Sequence, residues 1–255
     1  SWGGDYDAFN IQGKTPFSND PAGQYQWPMI TGAVQPADSE PSIADSSQLR
    51  LGCYAAYPLG KKNNLKIIVL NSVIFVNKKI YYTGNADADA RSEINWLKDQ
   101  LHKSDSLNEF ALIVMHVPPG KDPYVTSQGK DFWDAALHYD HSTTIQDAFL
   151  DLVATYQNRI IGILGSHTHM DGIKILKDPC NNFSSFLTCI PAITPDHSNN
   201  PAMKIITYDP SQNFALMNFV TYYNSFNENG QTNWNSSYNF DSTFNCLPVT
   251  PIRTY

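Results

Sequence analysis

The segment "RIIGILGSHTHMDG" (Arg159–Gly172) ends an apolar run with two histidines that are one residue apart. The run is short, rich in isoleucine and bounded by glycine, which is typical of a strand buried on both faces. His116 follows a second run of this kind, "EFALIVM" (Glu109–Met115). Because open α/β sheets bind ligands outside the carboxyl ends of their strands, we expect His116, His167 and His169 to lie at one functional edge.

The spacing of His167 and His169 carries a further expectation. In an extended segment, residues i and i+2 point to the same side, so both imidazoles are expected to face one pocket while Thr168 turns away. Gly165 and Gly172 allow the backbone to turn on either side of the motif. Imidazole is the commonest metal-binding side chain, so three imidazoles at equivalent strand ends predict a metal site.

The remaining pattern alternates strands and helices. The run "NLKIIVLNSVIFV" (Asn64–Val76) predicts another buried strand, and apolar residues at helical spacing predict a helix over 87–103. Thr143 and Gln146 have the spacing of a capping box and predict the start of a second helix. Further strands are predicted over 48–57, 172–176, 184–190, 203–208 and 214–223, the last two as a hairpin, whereas 1–50 is expected to be mostly loop and 224–255 an irregular tail. This order predicts a single α/β domain over 1–255, with a mixed sheet whose later part is mainly antiparallel.

Composition limits the partners and the location of the protein. The formal net charge of −7 argues against a nucleic-acid polymer, because binding a phosphate backbone needs clustered lysine and arginine. No apolar run reaches the roughly 18 residues of a membrane span, so no transmembrane segment is expected. Only 16% of the residues are charged, and such a neutral polar surface favours a secreted or otherwise extracytoplasmic protein.

The four cysteines are Cys53, Cys180, Cys189 and Cys246, and none forms a CxxC pair. An even number in a chain of this composition predicts one or two disulfides, for which Cys180 with Cys189 is one pairing, while four free thiols remain the alternative.

Other polar residues of the chain are candidates for the same chemistry. His138, His141 and His197 lie in polar loops, where an ordinary surface role competes with a place in the substrate pocket. Ser166 is not inside a G-x-S-x-G motif, which argues against a serine nucleophile. Carboxylates that are available as oxygen ligands are Asp5, Asp7, Asp171 and Asp196, and none has a decisive spacing. The residues alone therefore predict a histidine-rich metal site for hydrolysis, with either one zinc ion or two metal ions.

Two motifs together resemble a known family. "MHVPPG" (Met115–Gly120) and "GSHTHMDG" (Gly165–Gly172) resemble the C-terminal metal-binding motifs of calcineurin-like metallophosphoesterases, and the most similar branch is the acid sphingomyelinase-like phosphodiesterases. Further similar segments follow in the family's order, and the resemblance runs from about Leu65 to Tyr223. These segments are "VLNS" (Val69–Ser72), "INWLKDQL" (Ile94–Leu101) and "PAITPDHSNNPAMKIITYD" (Pro191–Asp209). One departure is Ser166, at a position where the family usually has glycine before the first histidine.

The resemblance implies a calcineurin-like four-layer β-sandwich, with mixed sheets flanked by helices and a dinuclear centre at one edge. By motif, His116 and His167 would bind one metal and His169 the other, with Asp171 expected to support them from outside the ligand set. Two divalent ions are implied, zinc above all, although iron or manganese would also suit such ligands. They would polarise a phosphodiester and activate a water. Asn71, His138, His141 and His197 are expected near the substrate, and the residue that protonates the leaving group stays unassigned.

The family's first metal motifs, which carry aspartate and asparagine ligands, are absent from this chain. The resemblance therefore implies that an N-terminal portion completing the metal site is supplied from outside it. Metal-dependent hydrolysis of a small-molecule or lipid phosphodiester is the leading hypothesis, with sphingomyelin-type lipids and nucleotides both open as substrates. The alternatives are a catalytically silent or binding module that keeps the fold, and a mononuclear zinc hydrolase with three histidine ligands.

Overall fold

Two β-sheets pack face to face in the protein, for which a computed structural model describes residues 37–48, 51–76, 85–122, 129–178, 180–195, 199–226 and 232–244. The larger sheet has seven strands in the order β1-β2-β3-β4-β5-β7-β6, and the smaller has three in the order β10-β9-β8. The strands are β1 Ser42–Asp45, β2 Tyr54–Tyr57, β3 Leu65–Val69, β4 Phe110–Val114, β5 Ile160–Gly165, β6 Gly172–Lys177, β7 Phe183–Cys189, β8 Ala202–Asp209, β9 Ala215–Phe226 and β10 Thr232–Asn239. The α-helices are α1 Ala86–Ser106, α2 Ile145–Thr155 and α3 Phe240–Phe244, and none of those described is long and apolar enough to cross a membrane.

The centre of the larger sheet is parallel. β3, β4, β5 and β7 run in one direction, while β1, β2 and β6 pair antiparallel at the two edges. Parallel strands need both faces covered, and these strands are nearly all apolar for that reason. The predicted mixed sheet is therefore confirmed, and the three described strands of the smaller sheet are antiparallel, as expected for the later part of the chain.

Alternate residues of the central strands face two different layers. Ile68, Ile113, Ile163 and Leu187 are neighbours in register across β3, β4, β5 and β7, and all are buried in the core that includes residues of α1 and α2. The opposite face of the sheet packs against Phe214 and Tyr208 of the smaller sheet and its turn, in the cluster that contains Leu65, Leu112 and Ile161. The expected sandwich is confirmed, and within the described ranges it has a helical layer and two sheets.

Glycines allow the close packing around β5. A Cβ atom on Gly162 would lie 3.3 Å from the hydroxyl oxygen of Tyr208 in the smaller sheet. A Cβ atom on Gly165 would lie 3.0 Å from Cδ2 of Leu187 and 3.2 Å from Cβ of Pro118. All three distances are tighter than ordinary van der Waals contact, so glycine lets β5 approach its neighbours just before the two histidines.

Several predicted elements differ in extent from the structure, including the strand predicted over 48–57, which is observed only over Tyr54–Tyr57. The run 64–76 is a strand only as far as Val69, and Ser72–Phe75 form a short 3₁₀-helix, which an apolar run cannot distinguish from a longer strand. The expected irregular tail over 224–255 contains the end of β9, all of β10 and α3. Its asparagine- and serine-rich sequence has low strand propensity, but pairing with β9 overrides that preference.

The second helix also begins one residue later than predicted. Thr144, not Thr143, is the N-cap of α2: its side chain accepts the Asp147 N–H at 3.1 Å and donates to the Asp147 carboxylate at 2.8 Å. Gln146, the expected capping partner, instead accepts the Gly120 N–H at 2.8 Å. Thr144 and Asp147 have the same three-residue spacing as Thr143 and Gln146, so the capping pair lies one residue further along the chain than predicted.

The predicted disulfide between Cys180 and Cys189 is wrong. Both cysteines are free, as is Cys53, and Cys246 lies outside the described residues. Cys180 precedes the first residue of β7 and Cys189 is its last, so the length of the strand, about 20 Å, separates them. A disulfide needs Cα atoms within about 7 Å of each other.

We predict that Gly165→Ala lowers the free energy of unfolding by about 1–3 kcal/mol, because the added methyl group meets Leu187 and Pro118. Urea denaturation of the chain measures the change. Gly172→Ala is the matched control, since its Cβ would lie 3.9 Å from Cβ of Cys189, and it should change stability by less than about 0.5 kcal/mol. Equal stabilities of the two variants would contradict the packing argument.

Candidate functional site

The carboxyl ends of the parallel strands meet at one edge of the larger sheet, and backbone hydrogen bonds continue past those ends. The Met115 N–H donates to Leu164 O at 2.9 Å, and the Ser166 N–H donates to His116 O at 2.9 Å. On the other side of β5, the Ile190 N–H donates to Gly165 O at 2.7 Å. These bonds place the residues after β4, β5 and β7 side by side, as the sequence pattern predicts.

His116 and His167 are in direct contact at this edge. Nε2 of His116 lies 3.4 Å from Nδ1 of His167, and the ring centroids are 5.2 Å apart in an edge-to-face arrangement. Nδ1 of His116 lies 2.9 Å from Oγ of Ser166. The ring of Phe132 packs edge-to-face against His167, with the centroids 5.2 Å apart. Two ring nitrogens from separate strand ends therefore converge on one small space.

The loop that carries His116 is bound by side chains from several elements. Its Val117 N–H donates to Ser72 Oγ at 2.8 Å, and Trp133 Nε1 donates to the Val117 carbonyl at 3.1 Å. Lys174 Nζ donates to the carbonyls of Pro119 and Lys121 at 3.2 and 2.9 Å. Proline has no N–H, so this loop cannot join the sheet as a regular strand, and the side chains satisfy its polar groups instead.

Burial governs the charge of His116. It lowers the pKa of His116 to about 4, and the nearby His167 and His169 rings act in the same direction. A neutral imidazole has a lone pair on one ring nitrogen, which is the form that binds metal. His116 is therefore in its metal-binding protonation state at neutral and mildly acidic pH.

The H-x-H segment is not extended, which corrects one expectation. His167 and His169 both have left-handed backbone angles, with φ of 70° and 60°, and the Thr168 N–H donates to the Ser166 carbonyl at 2.8 Å. Because β5 ends at Gly165, the i, i+2 rule for strands does not apply to the two histidines. His167 contacts His116, while His169 lines a cavity beside the pair.

This cavity has a volume of about 520 Å³ and opens between the smaller sheet and the segments around β6 and β7. Its lining is mainly polar and uncharged, with amide and hydroxyl groups from several elements. The lining includes His169, Asn199, Asn200, Thr221, Tyr223 and Ser236. The volume is within the range of small-molecule sites.

Asp171 also lines the cavity, and the buried ammonium group of Lys204 balances its negative charge. Its carboxylate lies 2.5 Å from Nζ of Lys204, which in turn donates to Thr188 Oγ1 at 3.2 Å and lies 4.3 Å from the ring centroid of Phe219. Burial, together with the charge of Asp171, raises the pKa of Tyr238 to about 12. The contacts of Asp171 that the structure shows are thus to Lys204 and Tyr238.

The expected substrate-pocket residues that the structure describes, Asn71, His138 and His141, do not line the cavity beside His169. Asn71 follows β3, where its side chain donates to Leu51 O at 2.8 Å and its N–H donates to Glu93 Oε1 at 2.7 Å. His138 and His141 are exposed in the loop before α2, and Nδ1 of His138 lies 3.0 Å from Ala136 O. His197 lies outside the described residues, as do the candidate ligands Asp5, Asp7 and Asp196.

Across the part of the chain that the structure describes, no group of three histidine, cysteine, aspartate or glutamate side chains is close enough to bind one metal ion. The arrangement therefore supplies a pair of imidazole nitrogens with a third histidine in the neighbouring cavity.

No family model matches the chain. It is similar to the cyclic GMP-AMP phosphodiesterase of Bos taurus, with 27% identity over 220 residues, which is 81% of this chain and 45% of that protein. The Mus musculus protein of the same name is 26% identical over 246 residues, 91% of this chain and 52% of its own length. Sphingomyelin phosphodiesterase B of Dictyostelium discoideum is 27% identical over 217 residues, 81% of this chain and 31% of its own. The relatives of this chain are thus acid sphingomyelinase-like phosphodiesterases.

These relatives confirm the branch that the motifs resemble. The chain spans about half the length of the cyclic GMP-AMP phosphodiesterases that it matches and about a third of the Dictyostelium protein.

Sequence reasoning did not find the partners of these histidines. Nothing in the sequence pattern indicates the contact between the Ser166 hydroxyl and His116. Lys204 lies in the strand pattern "AMKIITYD", where alternation assigns it to the buried face, and a lysine at such a position signals a buried carboxylate partner. That signal was available, whereas the contact of Ser166 depends on the turn after β5.

Glu93 beneath Asn71 leads to a prediction about pH. The residue is fully buried, and burial raises the pKa of its carboxyl group to about 8, although hydrogen bonds from Cys53 and the Asn71 N–H oppose the shift. The folded state therefore keeps this proton between pH 4.5 and 8 while the unfolded state releases it, so stability falls as pH rises through this window.

In Glu93→Gln this contribution disappears. Between pH 5 and 8 the wild-type chain should lose more stability than the variant, by on the order of a few kcal/mol, as measured by urea denaturation at each pH. Glu40→Gln, at an exposed position, should follow the wild-type dependence. Parallel curves for the wild type and Glu93→Gln would show that Glu93 is ionised in the folded chain.

Proposed function

We propose that the protein containing this chain hydrolyses phosphodiesters with divalent metal ions at the carboxyl edge of the larger sheet. The observation that carries this proposal is the convergence of His116 Nε2 and His167 Nδ1, 3.4 Å apart. Two nitrogen ligands about 2.0–2.1 Å from one tetrahedral zinc ion are themselves about 3.4 Å apart, so the pair fits two corners of such a site. The names of the relatives, all phosphodiesterases, support the reaction class.

The ligand assignment is the one that the family resemblance implies, and the contact between His116 and His167 supports its first part. We assign His116 and His167 to one metal ion and His169 to a second, with zinc preferred because its ligands here are imidazoles. Bound metal ions would polarise the phosphate oxygens and lower the pKa of a bound water. Asp171 is paired with Lys204, so the oxygen ligands of a two-metal site are proposed to come from residues other than Asp171.

The cavity beside His169 supports a nucleoside-type substituent on the substrate. Its amide and hydroxyl lining can exchange hydrogen bonds with a base or a sugar, whereas an acyl chain would leave these groups without partners. The charge of Asp171 is matched by Lys204, which leaves little attraction for a choline cation. We therefore propose a nucleotide phosphodiester as the preferred substrate over a sphingomyelin-type lipid.

We also propose an extracytoplasmic location. The low share of charged residues, 16%, and the neutral polar surface support it.

A second candidate is a binding module that keeps the fold without catalysis. The observation in its favour is that the described residues do not bring three possible metal ligands together. The two candidates differ in metal content and turnover, which the following experiment measures.

His116→Ala and His167→Ala should each lower kcat/KM for bis(p-nitrophenyl) phosphate by at least about 100-fold in the full-length protein that contains this chain, because each removes a ligand. Elemental analysis should show loss of metal in the same variants. His138→Ala is the control, since that exposed side chain lies away from the pair, and it should keep full activity and metal content. Full activity of the His116→Ala variant would favour the binding module. The same would follow if the wild-type protein contained no metal and showed no turnover.

Asn200→Ala should raise KM for a p-nitrophenyl nucleotide ester by roughly 3- to 10-fold with little change in kcat, because a hydrogen bond from the cavity is lost. Steady-state kinetics on this ester and on bis(p-nitrophenyl) phosphate measure the effect, and KM for the second ester should not change. The control is Asn233→Ala, exposed on β10 and outside the cavity lining. A rise in KM for sphingomyelin but not for the nucleotide ester would contradict the proposed preference.

A further inference from the structure

Ser166 stands where the resembled family usually has glycine, and its hydroxyl lies next to a candidate metal ligand. Oγ of Ser166 is 2.9 Å from Nδ1 of His116 and 3.5 Å from the carbonyl oxygen of the same residue. The backbone joins the two residues as well, because the Ser166 N–H donates to that carbonyl at 2.9 Å. Two atoms of His116, Nδ1 and the carbonyl oxygen, thus face one serine across the ends of β4 and β5.

We propose that Ser166 is a positioning residue: its hydroxyl accepts the Nδ1 proton of His116 and thereby directs the Nε2 lone pair of His116 toward Nδ1 of His167. This inference rests on the proposed function, since it assigns Nε2 as the metal-binding atom. It concerns the orientation and tautomer of one imidazole and assigns Ser166 no contact with the substrate.

The distances around the ring favour this tautomer. A neutral imidazole carries its proton on one nitrogen only, and the other nitrogen is an acceptor. The 2.9 Å separation between Nδ1 and Ser166 Oγ is typical of a strong N–H···O bond. The 3.4 Å separation between Nε2 and His167 Nδ1 is long for a hydrogen bond in which Nε2 is the donor. The proton therefore belongs on Nδ1 of His116.

The serine can accept this proton because a hydroxyl oxygen has two lone pairs and a hydrogen that can rotate away from the acceptor side. That hydrogen does not need to point at Nδ1, and the carbonyl oxygen of His116 lies 3.5 Å from Oγ on another side. The arrangement is local, since the hydroxyl and the backbone N–H of one residue contact one histidine. A metal-binding histidine usually donates its second ring N–H to an acceptor that sets its orientation, and removal of such an acceptor typically weakens metal binding 10–100-fold.

The change at this position relative to the family has a direct consequence. Glycine at this position would supply no side-chain acceptor, and Nδ1 would then have to donate to another group or to water. In this chain the acceptor is built into the residue that precedes His167, so the orientations of His116 and His167 are coupled through one short segment.

Two measurements on the whole 255-residue chain test the inference. Long-range ¹H–¹⁵N NMR of the metal-free chain reports the tautomer of His116, and calorimetric titration with Zn²⁺ alone reports the Kd. We expect the Nδ1–H tautomer in the wild type, mixed tautomers in Ser166→Ala and Ser166→Gly, and a Kd for Zn²⁺ that is about 10–100-fold higher in both variants. Ser166→Thr keeps a hydroxyl and should restore both the tautomer and the affinity.

Controls separate positioning from folding. Ser106→Ala removes an exposed hydroxyl that donates to His102 O at the end of α1, and both measurements should stay unchanged in that variant. Urea denaturation identifies any variant that does not fold. If Ser166→Ala does not fold, Ser166→Gly is compared with the wild type instead. A wild-type Nε2–H tautomer, or unchanged tautomer and Kd in Ser166→Ala and Ser166→Gly, would overturn the role of Ser166. A wild-type chain with the expected tautomer but no zinc affinity would instead overturn the proposed metal site and leave the positioning result standing.

Discussion

The hydrogen bond from the Ser166 N–H to His116 O is the contact on which the candidate site most depends. It extends the parallel pairing of β4 and β5 by one residue pair beyond the regular strands and so brings the two following segments within reach of each other. The side-chain bond between Ser166 and His116 can form only because this backbone bond exists. Everything proposed for the pair of imidazoles follows from the requirement that parallel strands end at the same edge.

Hydrogen bonds stabilise the His116 side of this edge, whereas an ion pair stabilises the cavity side. The HVPPG loop lacks the N–H groups of two prolines, so side chains of Ser72, Trp133 and Lys174 bind its remaining polar groups. The cavity side uses buried charge instead, with Asp171 and Lys204 compensating each other. Removal of one member of such a pair would leave a buried charge without a partner, which costs far more than loss of a surface contact. The histidines are therefore supported by groups that cannot easily rearrange.

Much of the fold follows from the sequence pattern. The central strands and α1 were predictable because their apolar runs and helical stripe are long and uniform. β10 was not predictable, because its asparagines and serines form a strand only through pairing with β9. The end of β3 was missed since an apolar run looks the same whether it continues as a strand or turns into a 3₁₀-helix.

The site was predictable at the level of location but not of geometry. The position of His116 and His167 after buried strands was enough to place them at one edge. The orientations of His167 and His169 depend on their left-handed backbone angles. Non-glycine residues rarely adopt such angles, and no local sequence pattern signals them. The same turn brings Ser166 to His116 and sends His169 to the cavity.

The central claim is that this edge binds a metal ion between His116 and His167, and anomalous X-ray diffraction at the zinc edge tests it most directly. Crystals of the protein grown with Zn²⁺ should show an anomalous peak about 2.0–2.1 Å from both Nε2 of His116 and Nδ1 of His167. A crystal in which zinc binds elsewhere, or in which no anomalous peak lies between these two nitrogens, would contradict the account.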